Sequence, residues 1–158
     1  MTEPVRGGEE IHIAAPPEVV WDLVADVRNM GRFSPETVGC EWVDGATGPV
    51  EGARFKGRNR YGFVRWTNTP EVVAAERGKE FAFRRPGPDG WTTWRYSFEP
   101  AEGGGTRLRE SWQQEKVPPA FVRLSIALLF RGRDIPTSVR KTLANIKQVA
   151  ESEARSRP

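Results

Sequence analysis

One carboxylate stands where a strand should bury it. In the run from Thr106 to Glu115, side chains alternate between Arg107, Arg109, Ser111 and Gln113 on one face and Leu108, Glu110, Trp112 and Gln114 on the other. The second face is the inward one, so Glu110 must be paired with a cation, protonated or wet, and burial would raise its pKa. Arg84 and Arg85 are possible partners, and with Asn68 these four residues are the candidates for acid/base and positioning chemistry. No catalytic set is committed beyond them. A shift of register by one residue at a bulge would turn Glu110 to solvent. The lone histidine, His12, lies opposite Ile11 and Ile13 on a short strand and has no oriented neighbour to make it a base. With one cysteine, Cys40, and one histidine, neither an intrachain disulfide nor a Cys/His zinc cluster can be assembled, and no metal or cofactor is expected.

These residues need a scaffold, and most of it reads with a period of two. Residues 10–14 form a first short strand, and six more candidates follow at 38–44, 53–61, 63–75, 79–85, 91–99 and 106–115. The breaks at 44–52, 61–62, 77–78, 86–90 and 102–105 all carry glycine, so neighbours should pair antiparallel as a meander. Pro70 interrupts the third run and should mark a bulge or an edge position. Trp94, Tyr96 and Phe98 share a face, as do Phe81 and Phe83, Val64, Trp66 and Asn68, and Phe55, Asn59 and Tyr61. Large aromatics with a few polar groups among them suit a ligand hollow better than a plain aliphatic core.

Helical signals flank this sheet. Pro16-Pro17-Glu18 starts a helix over 19–25 with Val20, Trp21 and Val24 inward, and Asp26 can cap a second over 27–33, ended by Gly31 and Ser34-Pro35. The only long helical signal is the last. Val139, Leu143, Ile146 and Ala150 recur at spacings of four, three and four, while Arg140, Lys141, Lys147 and Glu151 face away. Ahead of them a denser apolar segment, from Phe121 through Leu124, Ile126, Leu128 and Leu129 to Phe130, is broken off by Gly132 and Pro136. Two helical pieces with a joint at 131–136 are expected, the first lying over the mouth of a cavity and the joint acting as its gate. Phe33, Phe121 and Leu128 therefore join Phe55, Asn59, Tyr61, Trp66, Asn68, Phe83, Trp94, Tyr96, Glu110 and Trp112 as the expected ligand-binding set.

The chain has 158 residues, a one-domain length, a formal charge of +3 and mostly arginine as its base. Arg54, Lys56, Arg58 and Arg60 alternate with uncharged residues, the pattern of a solvated strand face rather than a nucleic-acid site, and none is expected to bind nucleic acid. The polar first nine residues carry no apolar h-region, and no apolar run approaches the ~20 residues that span a bilayer. A cytoplasmic monomer or homodimer follows, without an integral membrane segment and with frayed ends at 1–8 and 153–158.

The order of strand, two short helices, six-strand meander and long terminal helix is the helix-grip arrangement. The α+β expectation is a curved seven-stranded antiparallel sheet wrapped around the C-terminal helix. Ile11-His12-Ile13-Ala14-Ala15-Pro16-Pro17-Glu18-Val19-Val20-Trp21, then Phe33-Ser34-Pro35, resembles the opening of the START-like polyketide cyclase/dehydrase and lipid-transport (SRPBCC) superfamily, which includes the birch-pollen-allergen fold. Gly104-Gly105-Thr106-Arg107-Leu108 and the terminal helix extend the likeness over nearly the whole chain. The resemblance implies a fold and leaves function open among carriers, cyclases and co-chaperone domains. Val20-Trp21-Asp22 and Phe33-Ser34 also resemble tetracenomycin-type aromatase/cyclases. Against those enzymes the chain lacks a tyrosine near Phe33-Ser34-Pro35-Glu36, offers Thr67, Asn68 and Thr69 where they have serine and arginine, and has Arg84 or Arg85 to match a second pocket arginine. Three functions are consistent with this reading: binding or transport of a lipid, polyketide or aromatic molecule; an aromatase/cyclase or dehydrase; and a co-chaperone-type interaction domain using the 121–130 segment.

Overall fold

The fold follows from two hydrophobic periods meeting face to face. In the computed structural model, which describes residues 5–87 and 90–156, eight strand segments are hydrogen-bonded into one sheet. They are β1 (Arg6–Ile13), β2 (Thr37–Val43), β3 (Arg54–Tyr61), β4 (Val64–Asn68), β5 (Glu71–Glu76), β6 (Glu80–Arg85), β7 (Thr92–Pro100) and β8 (Thr106–Gln114). The order is β1-β8-β7-β6-β5-β3-β2, with β4 also paired to β3, and every pairing is antiparallel. The third expected run is thus one strand broken around Pro70. Proline cannot donate to a ladder. Its carbonyl still accepts from the Phe55 N–H at 3.1 Å, so β4 and β5 both run along β3. Counted as one broken run, they make the sheet the expected curled seven-stranded one.

Between β1 and β2 lie α1 (Pro17–Ala25), a single 3-10 turn over Val27–Asn29, and α2 (Met30–Phe33). Pro17 sits in the first turn, where its missing N–H costs nothing. The Trp21 indole N–H donates to the Glu80 carbonyl at 2.8 Å, fastening α1 to β6. Asp26 caps the 3-10 turn by accepting from the Arg28 N–H. The long helix, α4 (Ile135–Arg155), buries Val139, Leu143, Ile146 and Ala150 against the sheet, the stripe that the sequence shows. It is preceded by α3 (Ala120–Leu129), and the joint contains Gly132 at φ 83°, a conformation open chiefly to glycine.

Two boundary expectations change. β1 begins earlier than the expected residue 10 and pairs with β8 from Arg6↔Gln113 onward. Residues 153–155 complete the last turn of α4. Residues 1–4 and 157–158, and Pro88 and Asp89 of the expected 86–90 turn, lie outside the described residues. No helix among the described residues is long and apolar enough to cross a membrane.

Candidate functional site

The concave side of the sheet is not filled by α4. A hollow of about 380 Å³ remains between β2, β3, β4, β6, β7 and β8, α2, the end of the helix before α4 and the first turns of α4. Its wall on the sheet side is Phe55, Phe83, Trp94 and Tyr96, projecting from strands where alternate residues point inward. Phe55 and Phe83 meet edge to face at 5.2 Å between ring centroids. Gly57 lies on the same face as Phe55, and the hollow comes down to its backbone.

The polar groups in this wall fall into three places. At the inner end, Glu110 on β8 is 4% exposed and sits opposite Tyr96 on β7, its register partner. The Tyr96 hydroxyl donates to Glu110 Oε1 at 2.8 Å, while Oε2 has no hydrogen-bond partner. Burial drives the Glu110 carboxyl up to about 8, with the Tyr96 hydrogen bond pulling the other way. Tyr96 is itself held well above the ordinary phenol range by burial and then by the Glu110 charge. At neutral pH the pair is therefore a protonated acid beside a neutral phenol.

On the opposite wall are Asn59, Asn68 and Cys40, with Thr37 Oγ1 donating to Asn59 Oδ1 at 3.2 Å. Burial pushes the Cys40 thiol up to about 11. At the α3–α4 joint, Arg133 makes a two-pronged pair with Glu36 at 2.7 and 2.9 Å, half-buried at 23% and 13% exposure. The Arg133 guanidinium stands 5.1 Å from the Phe130 ring, and Phe130 meets Trp66 edge-on at 5.0 Å. This cluster pins the α3–α4 joint to the start of β2 and to the β3–β4 hairpin.

Of the residues expected from sequence, Phe33, Phe55, Asn59, Trp66, Asn68, Phe83, Arg85, Trp94, Tyr96 and Glu110 line the hollow. The others stand elsewhere, each for a local reason. Arg84 alternates to the outer face and pairs two-pronged with Glu115 at 2.6 and 2.8 Å, stacked 4.0 Å from Trp91. It cannot be the partner of Glu110. Arg85 lines the hollow but its guanidinium is hydrogen-bonded to Thr92 Oγ1 at 3.4 Å. Trp112 is buried beside Trp94, 5.9 Å between rings, and packs over Gly7, where a Cβ would come within 2.4 Å of its ring. Tyr61 lies just outside, its hydroxyl donating to the Arg131 carbonyl at 3.1 Å, so it holds the joint. Phe121 and Leu128 are each 73% exposed, as is Leu124. The opposite face of α3 supplies Ile126 and Leu129, followed by Phe130.

Sequence reasoning missed Cys40, Thr37, Gly57, Glu36 and Arg133. A bulge between Thr37 and Gly39 lets both Thr37 and Cys40 face the hollow and leaves Val38 outside, which strict alternation forbids. The Glu36–Arg133 pair spans 97 positions, and nothing local announces it.

The comparisons with known proteins agree with the fold. The family described as polyketide cyclase / dehydrase and lipid transport matches residues 5–151. Among solved structures, the chain is similar to the Polyketide_cyc-like protein Cgl2372 from Corynebacterium glutamicum, at 32% identity and a TM-score of 0.63, over 97% of this chain and 95% of that one. It also shares its fold with the ZhuI aromatase/cyclase from Streptomyces sp. R1128, at 17% identity, a TM-score of 0.69 and 98% of both chains. The structure of Ara h 8.0201 superposes at 13% identity and a TM-score of 0.66, over 95% of this chain and 99% of that one. Among curated proteins none matches.

Proposed function

We propose that this chain, which belongs to the polyketide cyclase / dehydrase and lipid transport family, binds one hydrophobic small molecule in the hollow between its sheet and α4. The observation that carries this reading is the hollow itself: about 380 Å³, walled by aromatic rings, with a few polar groups at separate places. Small-molecule sites have this size and this sparse polarity. An aromatic body fits against Phe55, Phe83 and Trp94. The α3–α4 joint, held by Glu36–Arg133 and Tyr61–Arg131 and preceded by a helix with no buried residue, serves as the entrance.

The test uses prodan, a neutral dimethylaminonaphthalene carrying a propionyl ketone, whose emission shifts to the blue in apolar surroundings. Saturable one-to-one binding is expected. Gly57→Leu sends a side chain into the hollow at a position with ordinary backbone angles, where the nearest atom is the mobile end of Asn68 at 3.1 Å. The folded variant should lose prodan binding. A wild-type protein that shows no saturable signal, or a folded Gly57→Leu that binds as before, overturns the reading.

A cyclase or dehydrase reading has one observation in its favour, the protonated Glu110 carboxyl facing the hollow, which could act as a general acid. Turnover of a poly-β-ketone substrate that is abolished by Glu110→Gln with binding intact would establish it. Absence of turnover in the wild type would remove it and leave the binding function standing.

A further inference from the structure

The reading of the hollow as a ligand site leaves open which chemistry it admits, and Glu110 limits that chemistry. Among the described residues only two buried side-chain polar atoms lack a hydrogen-bond partner, Glu110 Oε2 and the Trp112 indole nitrogen. Trp112 does not line the hollow, whereas the Glu110 side chain does; Oε2 itself has under 1 Å² open, so a ligand meets it through a turn of the carboxyl about its last side-chain bond. An unpaired buried polar atom is costly, and the cost is recovered when a partner arrives. Among the described residues none supplies that partner. Tyr96 already donates to Oε1, Arg84 faces outward onto Glu115, Arg85 is bonded to Thr92, and Arg133 is paired with Glu36.

We propose that the hollow selects neutral molecules presenting an oxygen acceptor, a ketone or ester carbonyl, to the Glu110 carboxyl, and that Glu110 discriminates against carboxylate-bearing molecules of the same shape. The rest of the lining near Glu110 is consistent with this. α4 faces the hollow with Ser138, Val139, Thr142 and Ile146, none of them charged. The register neighbour on β1, Glu9, is paired with Arg140 of α4 at 2.8 Å. Cys40 and Tyr96 stay neutral well past the point at which Glu110 ionises. A ligand carboxylate would therefore meet either a neutral acid or, once that ionises, a second negative charge in a dry place. A carbonyl accepts a hydrogen bond from the Oε2 hydroxyl, the proton stays on Glu110, and no charge is buried. An ammonium ligand would have to surrender its hydration and force Glu110 to ionise, a double desolvation that a buried pair at best balances.

Four naphthalene probes of matched shape test the proposal: prodan, its ketone-free dimethylaminonaphthalene parent, a naphthoate, and a naphthylmethylammonium. Prodan should bind about tenfold more tightly than the parent and the naphthoate at neutral pH. Its affinity should be flat in acid and fall by up to about tenfold per pH unit above about 8, as Glu110 loses its proton. Glu110→Gln, which keeps an N–H donor and cannot titrate, should bind prodan within about threefold of wild type with no such fall. Tyr96→Phe removes the hydrogen bond that favours the ionised carboxyl, so the fall should move to higher pH. Circular dichroism at each pH confirms that the variants stay folded. Equal affinity for prodan and its parent overturns the proposal. So does tighter binding of the naphthoate or the ammonium, or a pH profile shared by wild type and Glu110→Gln. If none of the four binds, the ligand-site reading fails with it, a result distinct from binding without selection.

Discussion

At the scale of single residues, Glu110 sets the pH behaviour of the folded chain because it is the carboxyl that burial has moved furthest. In the unfolded chain its pKa is the ordinary 4.5, and in the folded protein it is about 8, so between these values the folded state holds the extra proton. Stability contributed by this group is complete below pH 4.5 and is lost as pH rises toward 8. At ~1.36 kcal/mol per pKa unit the whole loss is of order 5 kcal/mol. Glu110→Gln removes it. Urea unfolding of wild type and variant in parallel should show a stability gap in favour of glutamine that widens steadily from pH 4.5 to 8 and then levels off. A gap that is constant with pH would mean that Glu110 ionises normally in the folded protein. The inward placement of Glu110 was legible from the alternation of β8 alone. Arg84 was only half legible: the parity that puts Phe81 and Phe83 inside puts Arg84 outside, but its partner Glu115 is 31 positions away.

At the scale of elements, α3 and α4 are opposite cases of the same hydrophobic signal. α4 carries one apolar stripe, so the 3.6-residue period fixes which face meets the sheet. In α3 apolar residues occur nearly all round, and the sequence could not say which of them turn inward. Ile126 turns toward the hollow, Leu129 touches it while staying 49% exposed, and Phe121, Leu124 and Leu128 stay exposed, so no residue of α3 is fully buried. Helices held this way open locally at low cost. Amide exchange should be fast in 120–129 and slow in the core of α4 around Val139–Ile146. Arg133→Ala removes the two-pronged pair at the joint and strands the half-buried Glu36, a loss of about 1–3 kcal/mol. Its exchange signature should be acceleration confined to α3, the joint and the 34–37 segment. Acceleration spread evenly through the sheet would show that the pair supports the whole fold rather than the entrance.

At the scale of the whole molecule, the sheet and α4 divide the interior into a packed half and a hollow half. Ile13, Val20, Leu108, Leu143 and Ala150 pack together where α4 meets β1 and α1, while the aromatic wall opens where α4 meets its own N-terminal joint. Leu143→Ala in the packed half should cost about 2–5 kcal/mol in chemical denaturation without altering probe affinity. A change in affinity as large as the change in stability would mean that the two halves are not separable. Strand alternation and the helical stripe made the architecture readable, since each is a local consequence of burial. They could not distinguish a filled interior from a hollow one, because an inward aromatic has the same spacing whether it touches another side chain or a ligand. The most direct measurement is therefore native mass spectrometry of the chain purified from its own host, followed by extraction of whatever leaves with it. One neutral, oxygen-bearing apolar molecule per chain, absent from Gly57→Leu prepared in the same way, is the predicted result. A bare wild-type chain that also fails to take up prodan would contradict the account.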